Sequence, residues 1–243
     1  WSFWAGYNVN GLGAVYDDRV TRGGPALRRN FRQNVWLGFE TDRRAAVTGV
    51  LQGFYVFRDV SGSEEWGVDP QLRFRAGGNV QGSVTLNYFE GVNDQQWYNN
   101  FATPGGTAYT FARLEQQTLG VTTRLDYTMT PTLSLQLYAQ PFVTAGDYSE
   151  LKEVVDPRAE RYADRFAPYT DATPNDFNFK QFRSNTVLRW EYRPGSVLFF
   201  VWQQGRQDFR DPGSFDFGRD YGNLFRTRSD NTFLIKASYW FSL

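Results

Sequence analysis

The chain has 243 residues, 26 Lys plus Arg against 26 Asp plus Glu, and neither Cys nor His. That removes a global basic field for nucleic acid, disulfides and thiolate metal sites, and every nucleophile or metal centre built on imidazole. Aromatic residues reach 18% although mean hydropathy is -0.55, and no run approaches the ~20 apolar residues of a membrane helix.

Period-two alternation runs along the chain and predicts ten strands. At 2–10, Phe3, Ala5, Tyr7 and Val9 oppose Ser2, Gly6, Asn8 and Asn10. At 31–41, Val35, Leu37 and Phe39 oppose Arg32, Asn34, Trp36 and Glu40; at 45–57, Val47, Leu51, Tyr55 and Phe57 oppose Thr48, Gln52 and the adjoining Arg58. Segment 71–76 sets Leu72 and Phe74 against Arg73 and Arg75, and 80–88 sets Val84 and Leu86 against Ser83 and Thr85. In the second half, 118–129 alternates Leu125 and Tyr127 with Arg124 and Asp126, and 133–140 alternates Leu135 and Leu137 with Ser134 and Gln136. Segment 182–192 places Leu188 and Trp190 against Arg183, Arg189 and Glu191. Only 197–210 is ambiguous, because VLFFVW is apolar on both faces. The last segment, 231–243, alternates Phe233, Ile235 and Ala237 with Thr232, Lys236 and Ser238. It exceeds the five or six residues usual for a globular strand and meets the roughly 9 to 11 needed to cross a bilayer.

The connections alternate as well. Short turns are expected at 41–44, 77–79, 130–132 and 194–196, and longer links at 11–30, 59–66, 93–107, 149–177 and 211–230. Short turns at one end and long loops at the other are the build of an outer-membrane barrel. A soluble barrel or sandwich would also alternate, with its apolar face inward. The length of the strands, the charge on the polar face and the Tyr and Trp near strand ends favour the membrane. The expected fold is therefore all-β, an antiparallel transmembrane barrel in a single domain spanning 1–243, located in the bacterial outer membrane with lipid as its partner.

Four blocks carry a further resemblance: TRGGPALRR (21–29), the stretch from YTFARLEQQ to ERYADRF (109–166), FRSNTVLRWEYRPGSVLFFVWQQGR (182–206) and NTFLIKASYWFSL (231–243). Together they resemble the C-terminal barrel region of a bacterial family of unknown function. In that family the barrel follows an N-terminal module similar to carbohydrate-binding family 9. The resemblance implies a glycan-handling outer-membrane protein and supplies no catalytic residues. Because the sequence opens at Trp1 within a strand and without a signal peptide, it is expected to be the C-terminal part of a longer secreted chain.

Candidate chemistry is sparse. Arg32, Arg58, Arg73, Arg75, Arg124, Arg183, Arg189 and Lys236 share the polar face with Glu40, Asp126 and Glu191, and are expected to line a pore with weak anion preference. Asp126 and Glu191 are the one carboxylate pair considered for glycoside hydrolysis; arginine–carboxylate ladders are the simpler expectation. The glycines of Arg22-Gly23-Gly24 lack the strand-to-helix setting of a phosphate loop. Oxygen-rich loops at Asp171, Asn175 and Asp176, and at Asp211, Asp216, Asp220 and Asn223, lack an EF-hand pattern. No metal or cofactor is expected. Link 149–177 is expected to form one or two short helices broken at Pro157, folding over or into the lumen. Its Tyr162, Phe166 and Tyr169, with Trp97 and Tyr98, could contact a glycan or simply pack the loops together. Three functions follow: a loop-restricted pore or membrane anchor, a filled non-conducting barrel with Trp4, Trp36, Phe89, Tyr138 and Trp240 inside, or an enzyme.

Overall fold

The computed structural model describes residues 1–58, 61–210 and 212–241. Alternating segments become strands β1 (Ser2–Asn10), β4 (Arg32–Glu40), β5 (Val47–Arg58), β6 (Glu64–Ala76), β7 (Val80–Thr103), β8 (Gly106–Thr130) and β9 (Leu133–Val154). They continue as β11 (Phe177–Arg193), β12 (Ser196–Asp208) and β13 (Asp230–Ser238). Three short strands, β2 (Tyr16–Asp17), β3 (Leu27–Arg28) and β10 (Phe166–Pro168), and helix α1 (Phe217–Arg226) lie in the links. The long strands form one antiparallel sheet in the order β1-β4-β5-β6-β7-β8-β9-β11-β12-β13, with β10 added to β9 and β2 pairing β3 separately. As described, the sheet is open, and β1 and β13 are its edges.

Several expectations need correction. The link expected at 93–107 is strand: β7 and β8 run on as one hairpin to a tight turn between Thr103 and Gly106. Bulges between Asn93 and Gln96 and between Trp97 and Asn99 break the alternation there, so the period-two signal disappears although the ladder continues. β6 starts at Glu64, not at 71, and carries Pro70, which pairs with Leu51. The ladder with β7 is interrupted between Val68↔Tyr88 and Gln71↔Thr85, with its register unchanged, as a residue without an N–H allows. In 149–177 the one helical element is a 3-10 turn at Tyr162–Arg165, followed by β10; β9 extends to Val154, and β11 begins at Phe177. Link 211–230 contains α1, a helix where only a connection is expected. The last strand ends at Ser238, so Tyr239, Trp240 and Phe241 leave the ladder, and Trp240 N–H donates to Ser196 Oγ at 3.0 Å. Ser242, Leu243 and Asp211 fall outside the described residues.

Residues opposed across a ladder share a face, so the register can be followed across the whole sheet. The chain Tyr7↔Val35↔Tyr55↔Trp66 continues as Leu72↔Val84, Leu86↔Val121, Leu125↔Leu137, Leu188↔Phe200 and Trp202↔Phe233, all on one face. This face is apolar from one edge to the other. It is also the open one: Leu37 is 51% exposed, Leu51 and Leu72 48% and Ile235 69%. A water-soluble sheet buries such a face.

Aromatic rings border the apolar band. Tyr7, Tyr55, Trp66 and Tyr88 stand toward the end with the long links, and Tyr127 and Trp190 toward the short turns. Tyr55 and Tyr88 donate their phenols outward to Glu64 and Glu90, at 2.6 and 2.8 Å. Each ring thus keeps an apolar body on the band and a polar tip beyond it. Over β9, β11 and β12, α1 covers the same face just past the band. Asp216 caps it by accepting from Arg219 N–H at 2.7 Å, Leu224 is buried, and Tyr221 OH donates to the Leu119 carbonyl at 2.8 Å.

Candidate functional site: the polar face and its cap

The opposite face carries all eleven predicted pore-lining residues. Arg32, Glu40, Arg58, Arg73, Arg75, Arg124, Asp126, Arg183, Arg189, Glu191 and Lys236 lie on six different strands, yet the register sets every one on this side. They do not form one site. Toward the short turns Glu40, only 2% exposed, pairs with Arg43 at 2.5 Å and Arg73 at 3.0 Å. Arg75 donates to the carbonyls of Arg43 and Ala45, while Arg124 lies over the Tyr138 ring. Arg43, Arg73, Arg75, Arg124 and Asp126 border a cavity of about 460 Å³. Arg189 reaches Glu191 at 3.0 Å, and the same carboxylate accepts Gly195 N–H. Arg183 stands opposite Gly205 and Gln140, and Lys236 lies on the edge strand opposite Phe199.

Asp126 and Glu191 are not brought together. Asp126 opposes Gln81 and Gln136, whereas Glu191 opposes Val197. They lie two strands apart and about four residues offset, so their backbones are separated by about 16 Å.

Two close approaches shape the β1–β4 side of this face. The Trp36 ring lies against Gly6 and the Trp4 ring against Gly38, where an added Cβ would meet the rings at 2.1 and 2.2 Å. Glycine at these positions lets both indoles lie flat along the wall. Tyr138 and Phe89 are also on this face, while Trp240 sits past the strand against Gly195.

At the end with the long links, 11–30 reaches the polar-face residues Asn10, Arg32 and Arg58, and both 11–30 and 155–168 lock onto the upper part of β7, β8 and β9. Arg165 is 3% exposed and donates to the carbonyls of Ala159, Glu160 and Arg28 and to Asn30 Oδ1. Lys152 and Tyr162 converge on Asp94 Oδ2, at 2.8 and 2.6 Å, and burial with the Asp94 charge pushes the Tyr162 phenol well above its usual range. Asn100 Nδ2 donates to the carbonyls of Thr21 and Arg22. None of Asp94, Lys152, Arg165 or Asn100 stood out in the sequence, because they act through contacts between links and carry no periodic signal.

The five loop aromatics are all engaged within this cap. The Arg22 guanidinium covers the Trp97 ring at 3.6 Å, and Tyr98 packs edge-on to Tyr148 and accepts Asn175 N–H. Tyr162 and Phe166 pack together, Phe166 also meets Phe111, and Tyr169 stacks on Phe101 at 5.4 Å. The oxygen-rich loops are committed too: Asp176 accepts Tyr148 N–H, and Asp220 accepts from Asn178 and Arg219. Among the described residues, no three acidic side chains converge as metal ligands.

Toward the same end, Arg32 and Arg58 oppose each other across β4 and β5. With Asn10, Asp17, Arg28 and Arg29 they border a cavity of about 360 Å³ under loop 11–30. Arg58 pairs with Glu65 at 2.8 Å, Arg29 with Asp17 at 2.8 Å and Arg28 with Glu160 at 3.6 Å. The N–H of Arg19 and the Arg29 guanidinium hold the Asp17 carboxyl below its usual range against the opposing effect of burial.

Neither the curated proteins nor the solved structures compared contain a match to this chain. A family model does match, over residues 1–242, so the chain belongs to the family described as Domain of unknown function (DUF5916).

Proposed function

We propose that this chain forms the wall of a bacterial outer-membrane β-barrel, with lipid against the apolar face and a loop-restricted aqueous lumen on the polar face. One observation carries the reading: large apolar side chains stand exposed along one continuous face, while charges and amides occupy the opposite one. Exposing that apolar face to water would be costly, and lipid makes the arrangement favourable. The ten long strands alternate in direction, so edges β1 and β13 run antiparallel, as closure of an even-stranded wall demands. No helix of the described residues is long and apolar enough to cross a membrane, which leaves strands as the crossing elements of this reading.

The barrel serves as a pore or anchor for a glycan-handling surface protein, the role implied by resemblance to barrels that follow a carbohydrate-binding module. Arginine outnumbers acid among the polar-face residues, which favours anions. A second reading, a filled wall that conducts nothing, is favoured by the buried Arg165 and Asp94 contacts of the cap. The chain has no Cys, so a nitroxide on Leu72→Cys reports one position only. In vesicles its accessibility to oxygen should greatly exceed that to a water-soluble nickel chelate; the reverse would overturn the membrane reading. Bilayer conductance with an anion-favouring reversal potential supports the pore, cation preference refutes the selectivity, and no conductance selects the filled wall.

A further inference from the structure

Arg32 differs from its neighbours around the 360 Å³ cavity. Arg28, Arg29 and Arg58 each have a carboxylate within 4 Å, whereas among the described residues none lies that close to Arg32. Its Nε is buried and donates to no acceptor among the described residues; Arg58 Nη1 likewise makes no well-aligned hydrogen bond, but Glu65 stands 2.8 Å from it. It also faces a like charge directly, since Arg58 is its cross-strand partner, and its other partner is the neutral Asn10. Like charges opposed across a ladder repel, and a buried guanidinium donor without an acceptor costs further free energy. A fold that holds such a group at a cavity wall has a site that an anion stabilises.

We infer that the cavity beneath loop 11–30 binds a small solute through an oxyanion group, a carboxylate on an acidic sugar or a phosphate, with Arg32 as the direct ligand. The planar guanidinium offers two parallel N–H donors that match the oxygens of either group. Arg58 and Arg29 remain tied to Glu65 and Asp17, so among the described residues Arg32 is the cation of the cavity wall whose charge no carboxylate offsets. The Asn10 amide lines the same cavity and suits a hydroxyl of the solute. The inference rests on the reading of this face as open to solutes, and it gives that reading a chemical class.

Calorimetric titration of the folded protein in detergent, with sodium glucuronate, inorganic phosphate and glucose, tests it. Binding of glucuronate alone identifies an acidic sugar, of phosphate alone a phosphate compound, and of both equally a site that reads only the oxyanion. In each case Arg32→Gln should weaken binding by at least about tenfold, while Arg44→Gln, in an exposed turn, leaves it unchanged. Should Arg32→Gln fail to fold, Arg32→Lys keeps the charge, loses the fork and should still weaken binding. No anion binding, equal binding of glucose, or an affinity unchanged in the Arg32 variants would overturn the site. Such a failure is separate from failure of the membrane reading, which the Leu72 label reports independently.

Discussion

Lys152 Nζ lies 2.8 Å from Asp94 Oδ2, and this ion pair ties the upper part of β9 to the bulged segment of β7. Both side chains are largely buried, and the same carboxylate oxygen accepts the Tyr162 phenol from the overlying link. One carboxylate therefore joins two strands and the cap.

Removing one member of that pair strands a charge in a poorly hydrated place. Lys152→Met should destabilise the folded protein by about 3 kcal/mol, read as a lower urea midpoint in detergent. The double variant with Asp94→Leu should recover part of the loss, because both charges are then gone. Equal loss in the single and double variants would show that the pair does not couple.

Arg165 supplies the link between segment 155–168 and loop 11–30. Arg165→Ala removes donors from three carbonyls and Asn30 Oδ1, each such charged hydrogen bond contributing about 1.5–3 kcal/mol net. Limited proteolysis should then cut at 155–168 and 11–30 while the strands remain resistant. If the cap restricts a lumen, bilayer conductance should rise in the same variant.

Acid should release loop 11–30. The Asp17 carboxyl is depressed by the Arg19 N–H and by Arg29, so its contribution is present above the ordinary value of 3.8 and disappears as pH falls below it. Protease sensitivity of 11–30 should therefore increase on acidification from pH 5 toward pH 3, and Asp17→Asn should show the acid behaviour at neutral pH. A loop equally protected at both pH values would refute the role.

Alkali should open the other side of the cap. The Tyr162 phenol is raised by burial first and then by Asp94. Its contribution is complete below the unfolded value of 10.0 and diminishes as pH rises above it. Tyr162→Phe should remove that part of the alkaline loss of stability, measured by denaturant midpoint at pH 9 and pH 11.

The indole pair on the polar face gives a steric test. Gly38→Leu would place side-chain atoms where Trp4 lies, since even a Cβ would come within 2.2 Å of its ring. The expected cost is about 1–3 kcal/mol, with a change in tryptophan fluorescence. The exposed-turn variant Gly105→Ala should show neither, because an added Cβ there meets nothing within 4 Å.

The sequence alone determined which face each residue of the regularly alternating segments occupies. All eleven predicted polar-face residues share a side in the structure because strand side chains alternate with period two and backbone pairing preserves that alternation from strand to strand. Periodicity failed where the backbone stopped being regular. Bulges at Asn93–Gln96 and Trp97–Asn99 concealed the upper β7–β8 hairpin, and α1, with Gly218 and Gly222 inside it, is held by Asp216 and by contacts from Phe182 and Leu119. Only the tertiary structure decided which charges meet. Asp94 and Lys152 are 58 residues apart, and Arg165 and Arg28 are 137 apart. The lone position of Arg32 emerges only when Glu65 and Asp17 are seen to take the neighbouring arginines. Periodicity is a local property of the chain, whereas ion pairing depends on which links fold over which strands.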